Sequence, residues 1–252
     1  MIKNCIPSGF IKLDELTFGF LKSNLIVIAA RPAMGKTSFC LNIANNLVFK
    51  NKISVLLFSS DSYEELIKRL ELDNSINLNN VHLVKETINN LEKACVIIDD
   101  TQSLLMTDIE NKAKVINSHN NIGLIIIDYL QLIKIDKSDD IDCRNKEISE
   151  ILKRLKLLSK ELNVPILCQS QLPRELEKRK DKRSILSDFG EITSIEELAD
   201  TIIFLYRDGY YNLSNTDKKE KAEIIIAKHH NKFINGTIYL NYESKLRKFS
   251  NI

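Results

Sequence analysis

The stretch "LIVIAARPAMGKTSF", residues 25–39, decides the fold of this chain. Leu25 to Ala30 make an apolar run of strand length, Arg31 to Gly35 interrupt it, and Lys36 opens a helical stretch. Within it, "ARPAMGKT" departs from G-x-x-x-x-G-K-[ST] only at its first position, where Ala30 replaces Gly. A strand before that pattern and a helix after it are the context a phosphate-binding loop requires. Gly35 lets the backbone approach phosphate, and helix amides donate to it. The candidate nucleotide-binding segment is therefore Arg31, Pro32, Ala33, Met34, Gly35, Lys36, Thr37 and Ser38. Lys36 is expected to reach the β and γ oxygens and Thr37 to ligate Mg²⁺, so a nucleotide and Mg²⁺ are expected here.

Outward from this loop, apolar runs of strand length recur between amphipathic stretches. That rhythm predicts βα units around a buried parallel sheet. The predicted strands are "LIVIAA" (25–30), "SVLLFSS" (54–60), "CVIIDD" (95–100), "GLIIIDY" (123–129), "PILCQSQ" (165–171) and "DTIIFLY" (200–206). "EIIIAKH" and "GTIYLNY" predict a terminal antiparallel hairpin. Helices are predicted over 37–50, 62–72 and, most clearly, over "NKEISEILKRLKLLSKEL", whose Ile148, Ile151, Leu152, Leu155, Leu158 and Leu162 share one face. Exposed loops are expected at 73–80, 137–145, 173–184 and 212–221.

A magnesium site needs an acid as well as a hydroxyl. Asp128 ends an apolar strand, where a carboxylate has little structural reason to sit, and is the candidate metal-associated acid. Asp99 and Asp100 are a rival pair, read in preference as a strand end followed by a cap before Thr101.

Composition narrows the partners without naming one. The chain has 252 residues, 44% hydrophobic, enough for one sizeable core, so a single domain over 1–252 is expected. Lysine and arginine total 36 against 34 acids, so nucleic-acid binding has to come from local patches and not from net charge. Cys5, Cys40, Cys95, Cys143 and Cys168 lack metal-ligand spacing and read as reduced structural thiols. No run is long enough to span a bilayer and no signal segment opens the chain, so a soluble, intracellular protein without membrane contact is expected.

Six ordered blocks, "IPSGFIKLDELTFGF", "LIVIAARPAMGKTSF", "LIIIDYLQLI", "EISEILKRLKLLSKELNVPIL", "SQLPRELEKRKDKR" and "SIEELADTIIFLYRDGYY", closely resemble the ATPase domain of DnaB-type replicative helicases. The resemblance implies a RecA-like α/β fold, a P-loop NTPase with a mostly parallel central sheet flanked by helices and a C-terminal antiparallel hairpin. It also implies a hexameric ring in which ATP hydrolysis at subunit borders drives translocation on single-stranded DNA and unwinding at a replication fork. Its location would be the cytoplasmic nucleoid, or an organelle with its own genome. Gln171 takes the place of a polar residue that senses the γ-phosphate. The family's N-terminal collar and linker helix find no counterpart from Ile6 onward, so self-association is expected to be weak. Other replication proteins are possible further partners.

Three positions depart from the family pattern. Asp61, in "FSSDS", stands where the family carries a water-polarising Glu, and slowed hydrolysis is expected because proton-transfer geometry is demanding. In "KHHNKFINGT" Lys228 is kept, as a residue that reaches a neighbour's γ-phosphate, but His230 replaces the family's Arg; such a finger can contribute ~10³ to 10⁵ in rate. In "SDFGEITSIEELAD" Gly190 and Thr193 stand in the DNA-gripping loop in place of Arg and Gly, with Glu191 matching. The resemblance puts Arg174, Lys178, Arg179, Lys180, Lys182 and Arg183 near the DNA channel, although such a charge run equally suits a solvated loop. Arg207, Asp208 and Tyr210 are placed where they could wall the nucleotide base, or simply pack. Against the motor reading stands a degenerate nucleotide-gated module that docks on a replication partner. A RecA-like recombinase fits the blocks less well.

Overall fold

The computed structural model describes residues 5–71, 81–83, 95–136, 144–190, 192–211, 220–230 and 232–252. The predicted loop 73–80, most of those at 137–145 and 212–221, and the residues Cys143 and Glu191 lie outside that set.

In chain order the elements are β1 (Cys5–Ile6), α1 (Ile11–Thr17), β2 (Phe20–Leu21), β3 (Leu25–Ala30), α2 (Lys36–Asn45), β4 (Ser54–Ser59), α3 (Tyr63–Glu71), β5 (Val81–Leu83), β6 (Val96–Asp99), α4 (Met106–Asn120), β7 (Ile122–Asp128), α5 (Arg144–Leu162), β8 (Ile166–Gln171), α6 (Thr193–Leu198), β9 (Thr201–Tyr206), α7 (Asp208–Tyr211), β10 (Lys221–His229), β11 (Lys232–Glu243) and β12 (Lys248–Ser250). β1 and β2 pair with each other. The other strands form one ten-stranded sheet in the order β12-β11-β10-β9-β3-β8-β7-β4-β6-β5.

From β9 to β5 all neighbours are parallel. β9 through β12 are antiparallel, which bears out the terminal hairpin and adds β12 to it. Because strands buried on both faces have no polar side, their sequences read as continuous apolar runs. Alternate residues divide between two cores. Ile26, Ile28 and Ala30 join Phe39, Ile43 and Leu47 beneath α2, whereas Leu25, Val27 and Ala29 join Ile151, Leu152 and Leu155 of α5 on the opposite face.

The predicted strands recur within a residue or so of their bounds, and the long helix is α5. The helix predicted over 37–50 is shorter in α form, because it ends at Asn45 and continues as a π-helical turn over Asn46–Asn51. Part of the 173–184 loop is a short 3₁₀ turn, Arg174–Lys178. Helices α1, α4, α6 and α7 and strands β1, β2, β5 and β12 were not predicted; most are too short for a periodic signal, and α4 mixes polar residues through its buried stripe of Met106, Ile109, Ala113 and Ile116.

The C-terminal strands reach back to the phosphate loop. Phe249 of β12 is buried against Phe39 of α2 at a 5.3 Å ring separation and against Tyr242 of β11 at 4.7 Å. Its amide donates to Asn42 Oδ1 at 2.7 Å. A Cβ on Gly35 would lie 3.1 Å from the Phe249 ring, and Gly35 has φ +95°, so both backbone and space select glycine there. Phe249→Ala should cost about 3 to 5 kcal/mol in denaturant unfolding, because it empties a site walled by aromatic rings that cannot collapse freely.

Candidate nucleotide site

The sheet brings the carboxyl ends of β3, β7 and β8 side by side, since β3 pairs with β8 and β8 with β7. Ligands of open parallel sheets bind at this edge, where neighbouring strands are not consecutive in the chain. The loop after Ala30 turns through Ala33, with φ +65°, and Gly35 before α2 begins at Lys36. Arg207, at the end of β9, donates to the Ala33 carbonyl at 3.1 Å and lies 3.7 Å over the Tyr242 ring. The loop is thus braced from its outer side by residues distant in sequence.

Three of the expected residues converge. Thr37 Oγ1 donates to Asp128 Oδ2 at 2.7 Å. Lys36 Nζ donates to the carbonyls of Ala30 and Arg31 at 3.2 and 3.4 Å, folded back along the loop. Burial lowers the Lys36 ammonium to about 8 against the pull of Asp128. Burial raises Asp128, with Thr37 opposing it through its hydrogen bond. A desolvated ammonium and a desolvated carboxylate at one helix N-terminus form a site suited to a phosphate with its cation.

The donor set fits magnesium. Mg²⁺ is usually held by one or two carboxylates together with substrate phosphates and water, and not by an all-protein cage. Asp128 and Thr37 supply that minimum, and no group of three or more His, Cys, Asp or Glu gathers elsewhere among the described residues.

Other expected residues are placed differently. Arg31 is buried and its guanidinium is committed to the Leu172 carbonyl at 2.9 Å and to Glu177 at 2.8 Å, so its side chain faces the 174–178 turn. Pro32 and Ala33 are exposed at the loop tip, Met34 packs into the core, and Ser38 is half-buried on α2. Asp61 follows β4 and is close enough to Asp128 to oppose its charge, but pairs with Arg69 of α3 at 2.8 Å. Gln171 is held at the end of β8 by Gln131, which accepts from its amide at 3.2 Å and donates to its carbonyl at 3.1 Å. Asp99 accepts from the Thr101 amide at 3.1 Å and from Lys112 at 2.6 Å, a strand-end turn with an ion pair; no helix starts there until Met106.

Lys228 faces inward in the single chain. Its ammonium is turned inward, donating to the Glu196 and Ala199 carbonyls at 2.6 and 2.8 Å, where it satisfies the orphan acceptors at the end of α6. In the basic run, Arg179 is engaged with Asp188 at 2.9 Å and Arg183 with Glu223 at 2.7 Å, with the Arg183 guanidinium 4.8 Å over the Tyr206 ring. Lys182 lies over the Tyr211 ring, whereas Arg174, Lys178 and Lys180 are exposed. Two of the expected phosphate-contacting arginines are therefore structural in this conformation. Asp208 accepts from Tyr206 at 3.0 Å, and Tyr210 is exposed.

A strand-loop-helix phosphate cradle, facing a buried acid at the end of a parallel strand, defines a P-loop nucleotide-binding protein of RecA-like fold. The model of the DnaB-like helicase C terminal domain matches residues 5–251, and the chain belongs to that family. It is 42% identical to the replicative DNA helicase DnaB of Geobacillus stearothermophilus, over 98% of this chain and 56% of that protein. With a probable replicative DNA helicase of Trieres chinensis it shares 44% identity over 97% of this chain and 56% of the relative. The chain thus spans little more than half the length of the curated relatives it matches. A DnaB-like replicative helicase, solved in a study of its interactions with primase, is similar over 100% of this chain and 65% of its own, with 34% identity and a TM-score of 0.84. A second solved structure, of an isolated ATPase domain, has the same identity and TM-score and is 93% covered.

His229 gives this region a pH response. It is buried, with Nδ1 3.0 Å from Thr201 Oγ1 and its ring 3.8 Å from that of His230. Burial, then His230, lowers its pKa to about 4. The unfolded chain therefore takes up this proton first on acidification, and stability is lost as the pH falls from about 6.5 through about 4. Denaturant midpoints measured across that window should fall less steeply in His229→Gln than in the parent.

Proposed function

We propose that the chain acts as one ATP-hydrolysing motor domain that moves on single-stranded DNA, with Mg·ATP bound by the 31–38 loop, Thr37 and Asp128. The observation that carries this reading is the convergence of Lys36, Thr37 and Asp128 at the carboxyl edge of a RecA-like sheet. Family membership supports the motor assignment, as do relatives named as replicative helicases.

In this mechanism Lys36 leaves the Ala30 and Arg31 carbonyls to meet the β and γ oxygens, and the α2 amides donate to phosphate. Bound magnesium would supply charge neutralisation at the transferring phosphoryl group. Asp61 leaves Arg69 to orient the attacking water, and Gln171, presented by Gln131, meets the γ-phosphate side. Arg174, Lys178 and Lys180 supply phosphate contacts to the strand. The partners are single-stranded DNA, further copies of the chain closing a head-to-tail ring, and other replication proteins; the site of action is the nucleoid. Lys228 reaches a neighbour only after it gives up two backbone acceptors.

That last point favours one rival, a nucleotide-gated module that binds ATP and turns it over little. His230 at the family's Arg position points the same way, because neutral His is a poor substitute for guanidinium. The ATPase rate with and without single-stranded DNA separates the two. Stimulation by DNA is expected for the motor, and tight binding with a flat, low rate would establish the module. Asp61→Glu together with His230→Arg should raise turnover in a weakened motor.

Proton linkage tests the site directly. Burial lowers Lys36 to about 8 and phosphate would raise it, so nucleotide binding above pH 8 should take up a proton. Calorimetry at about pH 8.5, in buffers of different ionisation enthalpy, should show this uptake, and Lys36→Met should abolish it along with most of the affinity.

A further inference from the structure

Gln169 lies in the middle of β8, between a strand of the phosphate loop and the strand of the acid. It pairs with Ile28 of β3, and because Ile127 pairs with Cys168, Asp128 falls next to it on β7. Leu167, two residues back, packs with Ile28, Ile126 and Phe39 under α2, so alternation aims Gln169 at this same face, toward the start of α2. It has 0% exposure.

The carboxamide is nevertheless poorly satisfied. Neither Oε1 nor Nε2 has a partner at full hydrogen-bond geometry, and the group the amide reaches is Asp128, whose charged form it favours. Buried polar side chains nearly always find a partner, and one that falls short at a functional site calls for a specific explanation. An apolar side chain of the same volume would fill this place without that penalty. The polar group therefore completes its pairing with Asp128 in another state of the site.

We propose that Gln169 is a positioning residue for the divalent cation, its carboxamide fixing the Asp128 carboxylate toward the metal once nucleotide is bound. This rests on the assignment of Thr37 and Asp128 as the metal-associated pair. The carboxamide donates through Nε2 to the carboxylate oxygen that Thr37 does not engage, and Oε1 would be left to accept from water around a bound metal. Outer-shell partners of this kind typically change metal affinity by about 10- to 100-fold when removed.

The test separates this role from packing. Gln169→Leu and Gln169→Met keep volume and remove the amide. Denaturant midpoints, Mn²⁺ affinity by electron paramagnetic resonance in the presence of ADP, and ADP affinity in EDTA are measured on the parent and both variants. Expected are midpoints equal to or above the parent's, unchanged metal-free ADP affinity, and Mn²⁺ binding weakened by about tenfold. Unchanged Mn²⁺ affinity in both variants overturns the proposal, as does a loss that tracks lower stability and weaker metal-free binding. The site assignment is checked separately with Asp128→Asn. If the parent itself binds no Mn²⁺ with ADP, or Asp128→Asn binds it as well as the parent, that assignment fails and the proposal falls with it.

Discussion

A carboxylate buried at the end of a parallel strand constrains everything around it. Asp128 is nearly sealed from solvent, and its charge is favoured by Thr37, which donates to it, by Lys36 nearby and by the Gln169 amide. Lys36 and Thr37 open α2, so the helix must begin where it does and point its amino end at the strand edge. A helix one residue out of phase would remove the hydroxyl and leave the acid unpaired. The tight turn through Ala33 and Gly35 follows from that requirement, because the chain must leave β3 and reverse within five residues, Arg31 to Gly35.

The brace on that turn comes from the far end of the chain. Tyr242 and Phe249 close against Gly35, and Arg207 holds the Ala33 carbonyl, so the antiparallel end of the sheet supports the loop that the parallel part presents. A comparable division of roles holds in the basic segment. Arg179 and Arg183 commit their bidentate forks to Asp188 and Glu223, which shapes the segment and leaves Arg174, Lys178 and Lys180 as its outward charges. Positive charge counted along the sequence therefore overstates what faces solvent.

The sequence by itself determined the parallel core, because strands buried on both faces must be apolar throughout, and such runs are legible without neighbours. It determined the phosphate loop as well, since Gly35, Lys36 and Thr37 stand together in one local strand-loop-helix turn. Asp128 was legible as a misfit, a charge ending "GLIIID". Short elements were not, because two or three residues carry no period, and β5 and β12 exist only through the strands they pair with. Only the tertiary structure decided which partner each long side chain takes. Lys228 turns to the end of α6, Asp61 to Arg69, and Gln169 comes to rest beside Asp128. These outcomes depend on distances between segments remote in sequence, and no local pattern of residues encodes such distances.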